Sequence, residues 1–98
     1  MRVRYTARAF AERERIFAYL DARNPQAARS VVGLIKQRIE ELGDAPYKGH
    51  RTDRGGIFTL WITPYPYRIY YRIDGEDVVI IHIRHTSRRP WGPSRRGP

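Results

Sequence analysis

Cysteine is absent from the chain, which excludes disulfide frameworks, thiolate metal sites and cysteine nucleophiles together. No apolar run is long enough to span a bilayer, and the amino terminus, MRVRYTARAF, lacks the apolar block of a signal peptide. The expected location is the cytoplasm, with no membrane partner. Acid is scarce: 10 Asp and Glu stand against 19 Lys and Arg, a formal net charge of +9. A field of that sign draws nucleic acid, acidic protein or anionic membrane, and charge alone does not choose among them. Four of the basic residues (Arg88, Arg89, Arg95, Arg96) lie in the last thirteen residues, which hold no acid, so residues 1–85 keep a charge of +5. The folded part is basic in its own right.

What is present suffices for one small domain: 98 residues, 41% of them hydrophobic. Residues 1–6 alternate Val3 and Tyr5 with Arg2 and Arg4, as a half-buried strand does. Thr6 then caps a helix over 7–23 whose apolar side is Phe10, Ile16, Phe17 and Leu20. Asn24-Pro25 stops it and starts a second helix, with Ala28, Val31, Val32, Ile35, Ile39 and Leu42 inward and Gly43 and Pro46 at its end. So short a connection makes the pair an antiparallel hairpin. Residues 43–56 read as a basic loop bearing Lys48, His50, Arg51 and Arg54. Three strands follow, over 57–63, 67–73 and 78–85, with a turn at Asp74-Gly75.

The predicted fold is therefore α+β: an N-terminal strand, an antiparallel helix hairpin, then a three-stranded antiparallel meander, with the helices on one face. Residues 1–88 form the single domain, and 89–98 make a basic, Pro- and Arg-rich tail expected to be mobile. An odd register at Asp74-Gly75 sets Tyr67, Ile69, Tyr71 and Ile73 against Val79, Ile81 and Ile83 on the core side. It leaves Arg68, Tyr70, Arg72, Ile80, His82 and Arg84 on the open face. Solvated charges on the wet face of an antiparallel sheet are common, but basic residues here converge from three segments, which suggests an anion is met there. Tyr70, between Arg68 and Arg72, is the ring expected to be available to a ligand, while Trp61 is either a cover for the sheet or a contact. His82 and His85 project to opposite faces and make a poor metal pair, so neither metal nor cofactor is expected.

In order and wording the chain resembles the RelE/ParE superfamily of type II toxins, over about residues 3–91. The most specific elements are NPQAA at 24–28, PYRIYYRI at 66–73 and IRHTSR at 83–88. The resemblance implies a toxin held inactive by a labile antitoxin encoded beside it, acting either on DNA gyrase, as ParE-like proteins do, or on ribosome-bound messenger RNA, as RelE-like endoribonucleases do. It implies an acidic antitoxin that docks over the helices or along a sheet edge, in a hetero-oligomer.

By resemblance to RelE, Arg68 sits at the strand arginine that contacts RNA phosphate and Arg88 at the arginine after the last strand. Lys48, Arg51 and Arg54 lie near the basic pair before the meander. RelE-like nucleases commonly place a tyrosine or histidine acid or base near the carboxy terminus, whereas after His85 this chain offers arginines and Trp91. If the protein is a nuclease, Arg68, Arg88, His82 and His85 are its candidate catalytic residues, His82 being the more exposed histidine and His85 turned toward the helices. The ending His85, Arg88, Trp91 looks closer to ParE-like chains, which puts gyrase inhibition ahead of RNA cleavage. The expected target contacts are Lys48, Arg51, Arg54, Arg68, Tyr70, Arg72, Arg84, Arg88 and Trp91.

Overall fold

A computed structural model describes residues 1–87. Strand β1 (Arg2–Tyr5) leads into helices α1 (Ala7–Asp21) and α2 (Pro25–Glu41), followed by strands β2 (His50–Arg51), β3 (Phe58–Trp61), β4 (Tyr67–Asp74) and β5 (Asp77–His85). The helix starts are local chemistry: Thr6 Oγ1 accepts the Ala9 N–H and Asn24 Oδ1 the Ala27 N–H, each at 3.1 Å. Each such cap contributes about 1 kcal/mol.

The strands form one sheet in the order β1-β5-β4-β3-β2, with β1 parallel to β5 and every other pair antiparallel. The expected α+β class holds. The fifth strand was not expected: His50 and Arg51, read as loop, pair with Thr59 and Phe58 along the edge of β3. A two-residue pairing has no periodicity of its own, so nothing in its sequence announces it.

Both helices lie on one face, and α2 supplies most of the helical side of the core. Ile35, Ile39 and Leu42 meet Ile69, Tyr71, Val78 and Ile80, all fully buried. Helix α1 enters through small, buried Ala9, with Ile16 and Leu20 only partly covered. Phe10 and Phe17 were assigned to its inner side, but they are exposed. Phe10 instead lies edge-on to Tyr5 and under the Arg13 guanidinium, which covers part of an outward ring.

The register expectation is half right, for a physical reason. A two-residue turn couples Asp74 to Asp77 and sets Tyr71 opposite Ile80. A β-bulge then shifts the pairing, so that Tyr70 lies opposite His82 and Ile69 opposite Ile83. The extra residue, Ile81, faces away from the helices. Val79 and Ile81 therefore join Tyr70 in a second small cluster on the open face, while Ile80 belongs to the main core. Because the bulge precedes His82 and Arg84 along β5, both stay on the open face as expected.

Tyr71 ties the basic segment to this core. Its hydroxyl accepts the Gly49 N–H at 2.9 Å and donates to the Pro46 carbonyl at 2.8 Å. Burial raises its pKa, which keeps the phenol protonated and donating. A Cβ on Gly49 would sit 2.7 Å from both the Tyr71 hydroxyl and the Thr59 carbonyl. Gly49→Ala is expected to cost about 1–3 kcal/mol, as overpacking does, read as a lower denaturation midpoint at unchanged m-value.

Candidate functional site

Cations on this surface sort by whether an acid answers them. Arg2 and Arg4 meet Asp77 and Asp74 at the β1 edge, and Asp77 is held below the usual carboxylate range by its hydrogen bonds to Arg2, then Arg4. Arg38 and Lys48 meet Glu41, and Arg13 meets Glu14. Among the described residues, Arg68, Arg72 and Arg84 pair with no carboxylate. All three rise from β4 and β5 on the face away from the helices.

Cross-strand pairing arranges that face in rows. Trp61, Arg68 and Arg84 stand side by side on β3, β4 and β5. The Arg68 guanidinium carbon is 4.7 Å from the Trp61 ring centroid and 5.7 Å from that of Tyr70, an aromatic seat that holds the charge without neutralising it. The Nε atoms of Arg68 and Arg84 are buried without a hydrogen-bond partner. The next row runs from Thr59 through Tyr70 to His82.

His82 is the hub of the site. β1 stops pairing at Tyr5 opposite Ile80, so the β5 edge beyond it needs acceptors. Glu12, on α1, supplies them: its carboxylate accepts the Ile83 N–H at 2.8 Å and the His82 Nδ1–H at 2.7 Å. On the other side of the ring, Nε2 lies 3.1 Å from Arg84 Nη1 and 3.3 Å from Arg8 Nη2. A guanidinium only donates, so Nε2 is the acceptor and the proton sits on Nδ1. Burial pushes the His82 pKa down, against the pull of Glu12 and with the help of Arg8 and Arg84. The ring is neutral and gathers two guanidiniums on one nitrogen.

The expected site residues separate accordingly. Arg68, Arg72, His82 and Arg84 share the open face, and Arg54 reaches it from the β2–β3 connection. His82, expected to be the more exposed histidine, is only 3% exposed, because α1 closes over it with Arg8 and Glu12. Tyr70, expected to be available to a ligand, is also 3% exposed beneath its neighbours, and the accessible ring is Trp61 at 48%. His85 lies on the helix side as expected, edge-on to Tyr67 and accepting the Ser87 N–H. Arg51 stacks over Phe58 on the helix-side edge and Lys48 is drawn to Glu41, so neither joins the open face. Arg88 and Trp91 lie outside the described residues. Arg8 and Glu12 are the residues the sequence reading missed; their one local signal is the spacing of four that pairs them on α1, at 3.3 Å.

The arrangement can hold phosphate or carboxylate groups and offer an indole for stacking. No group of His, Cys, Asp or Glu among the described residues could hold a metal ion.

Known proteins resemble this chain in sequence and in fold. A sequence profile described as the ParE toxin of type II toxin-antitoxin system, parDE, matches residues 3–90. The chain is 32% identical over 88 residues to a Sinorhizobium fredii (strain NBRC 101917 / NGR234) protein named "Putative toxin Y4kP", covering 90% of this chain and 91% of that one. Among solved structures, the chromosomal ParDE TA system from P. aeruginosa superposes with a TM-score of 0.77 at 22% identity, over 87% of this chain and 95% of that one. The isolated E. coli RelE toxin gives 0.68 at 14% identity, over 89% and 85%. At these identities the two structures share the fold.

Proposed function

Since the chain belongs to the ParE toxin family of type II toxin-antitoxin systems, we propose that it arrests growth by inhibiting DNA gyrase and that a cognate acidic antitoxin neutralises it. The two form a hetero-oligomer in the cytoplasm, where the target also resides. No helix of the described residues is long and apolar enough to cross a membrane.

The observation that carries this reading is the row Trp61, Arg68, Arg84: an exposed indole beside two guanidiniums that no acid among the described residues answers. Such a surface grips acidic protein or nucleic-acid phosphate and needs no reaction to do so. RNA cleavage would need an acid or base within reach of the scissile group. On this face the histidine is buried, with Nδ1 bound to Glu12 and Nε2 filled by Arg8 and Arg84. His85 sits on the opposite face. That geometry favours binding over cleavage.

Induction of the chain without its antitoxin, with DNA and protein synthesis followed separately, tests the reading. DNA synthesis is expected to stop first. Early arrest of translation with cut messages and intact supercoiling would replace gyrase with the ribosome-dependent RNA cleavage of RelE-like toxins.

A further inference from the structure

The two arginines of the Trp61 row are held by groups that carry no charge. Arg68 and Arg84 stand directly opposite each other on β4 and β5. Like charges so placed repel, and a long arginine side chain left to itself turns its head away into water. Arg68 is kept in the row by the rings of Trp61 and Tyr70. Arg84 is kept there by one hydrogen bond among the described residues: its Nη1 donates to His82 Nε2 at 3.1 Å. Its buried Nε has no partner.

A carboxylate would fix the Arg84 guanidinium as firmly, but it would cancel the charge that the surface offers. A neutral imidazole nitrogen fixes it and leaves the charge whole. That nitrogen can accept only because the proton sits on the other one, which Glu12 ensures by accepting the Nδ1–H at 2.7 Å. Arg8 reaches the same Nε2 at 3.3 Å, but its Nε also donates to Glu12 at 3.3 Å, so Arg8 has a second anchor. Arg84 has no second anchor among the described residues. The His82 ring is itself too deeply buried to touch a target. It packs beside Tyr70, with centroids 5.9 Å apart, so the supports of the two arginines rest on each other.

We propose that His82 is a positioning residue for the target surface: with its tautomer set by Glu12, it orders Arg84 in the row before the target arrives. It acts through Arg84 and makes no contact of its own. Ordering a rotamer-rich side chain beforehand removes that cost from binding, a factor of about two to ten in affinity. The proposal rests on reading the open face as the surface that meets the target.

Two amide substitutions divide the roles of the imidazole. In His82→Asn the amide reaches the place of Nδ1 and donates to Glu12, but nothing stands where Nε2 was. In His82→Gln the amide oxygen reaches the place of Nε2 and accepts from Arg84. Binding of the full chain to purified gyrase is expected to fall about two- to tenfold in His82→Asn and to recover in His82→Gln, with denaturation midpoints measured alongside. A merely structural histidine would give the opposite order, since His82→Asn keeps the bond to Glu12. The loss in His82→Asn should also vanish in an Arg84→Gln background, where no guanidinium is left to place. Binding by His82→Asn equal to or tighter than that by His82→Gln, or a loss that persists undiminished without Arg84, overturns the proposal. Nitrogen relaxation on the wild-type chain needs no variant at the hub: the Arg84 guanidinium should be ordered in the free protein, and a mobile one overturns the proposal as well. If the wild-type chain does not bind gyrase, the gyrase reading falls, and the same variants ranked by growth arrest on induction decide the role of His82.

Discussion

Glu12→Ala is expected to remove roughly 3 kcal/mol of folding stability, a large share of what a domain this size has. Its carboxylate answers three donors at once: the Ile83 N–H on the β5 edge, His82 Nδ1–H, and Arg8 Nε. Deleting it leaves the first two donors in part-buried positions without acceptors and leaves Arg8 and Arg84 together at one nitrogen of an unanchored ring. Glu12→Gln keeps one acceptor oxygen and should lose less. The same cluster sets a pH dependence. His82 is neutral in the folded protein, with burial lowering its pKa below the value of about 6.5 that an unfolded histidine has. Below pH of about 6.5 the unfolded chain therefore binds the proton more readily. Stability from this group is complete above that pH and is lost as pH falls toward the folded value. Protonation also turns Nε2 from acceptor into donor against Arg8 and Arg84. Unfolding curves taken on both sides of this window should separate for the wild type and draw closer for His82→Gln; parallel behaviour of the two proteins would remove His82 as the cause.

Arg68→Glu is expected to abolish growth arrest while leaving the fold intact. Arg68 makes no ion pair among the described residues, and its guanidinium rests on Trp61 and Tyr70, so the core does not depend on its charge. Losing a charge contact at a binding surface costs about 2–5 kcal/mol of target affinity, which is roughly thirtyfold or more. Reversal adds repulsion to that loss. Arg68→Lys keeps the charge but loses the planar stacking on Trp61 and should fall between. Toxicity after induction is the readout, with the denaturation midpoint measured alongside. A fully toxic Arg68→Glu chain would show that the open face is not the working surface.

How much of this was legible beforehand follows from where each signal lies along the chain. The caps at Thr6 and Asn24-Pro25 act over three residues, and the helix hairpin was readable from them. The strand pair was readable too, but its bulge was not. In Val78-Val79-Ile80-Ile81 every residue is apolar, so either face accepts any of them and the sequence marks no extra position. Alternation on β4, with Arg68, Tyr70 and Arg72 on one side, placed the cations correctly. It could not say that Tyr70 is covered and Trp61 is not, because that depends on Val79 and Ile81 moving to the open face. The His82 hub lay beyond reach for another reason: Glu12 and Arg8 arrive from the far end of the chain, on what their helix alone presents as its polar side.

Supercoiling by purified gyrase, titrated with the purified chain, tests the central claim most directly. Inhibition by the wild-type chain is the predicted result, with relief on adding antitoxin and none of it from the folded Arg68→Glu variant. Full supercoiling at every concentration of a folded wild-type chain that still arrests growth would contradict the account.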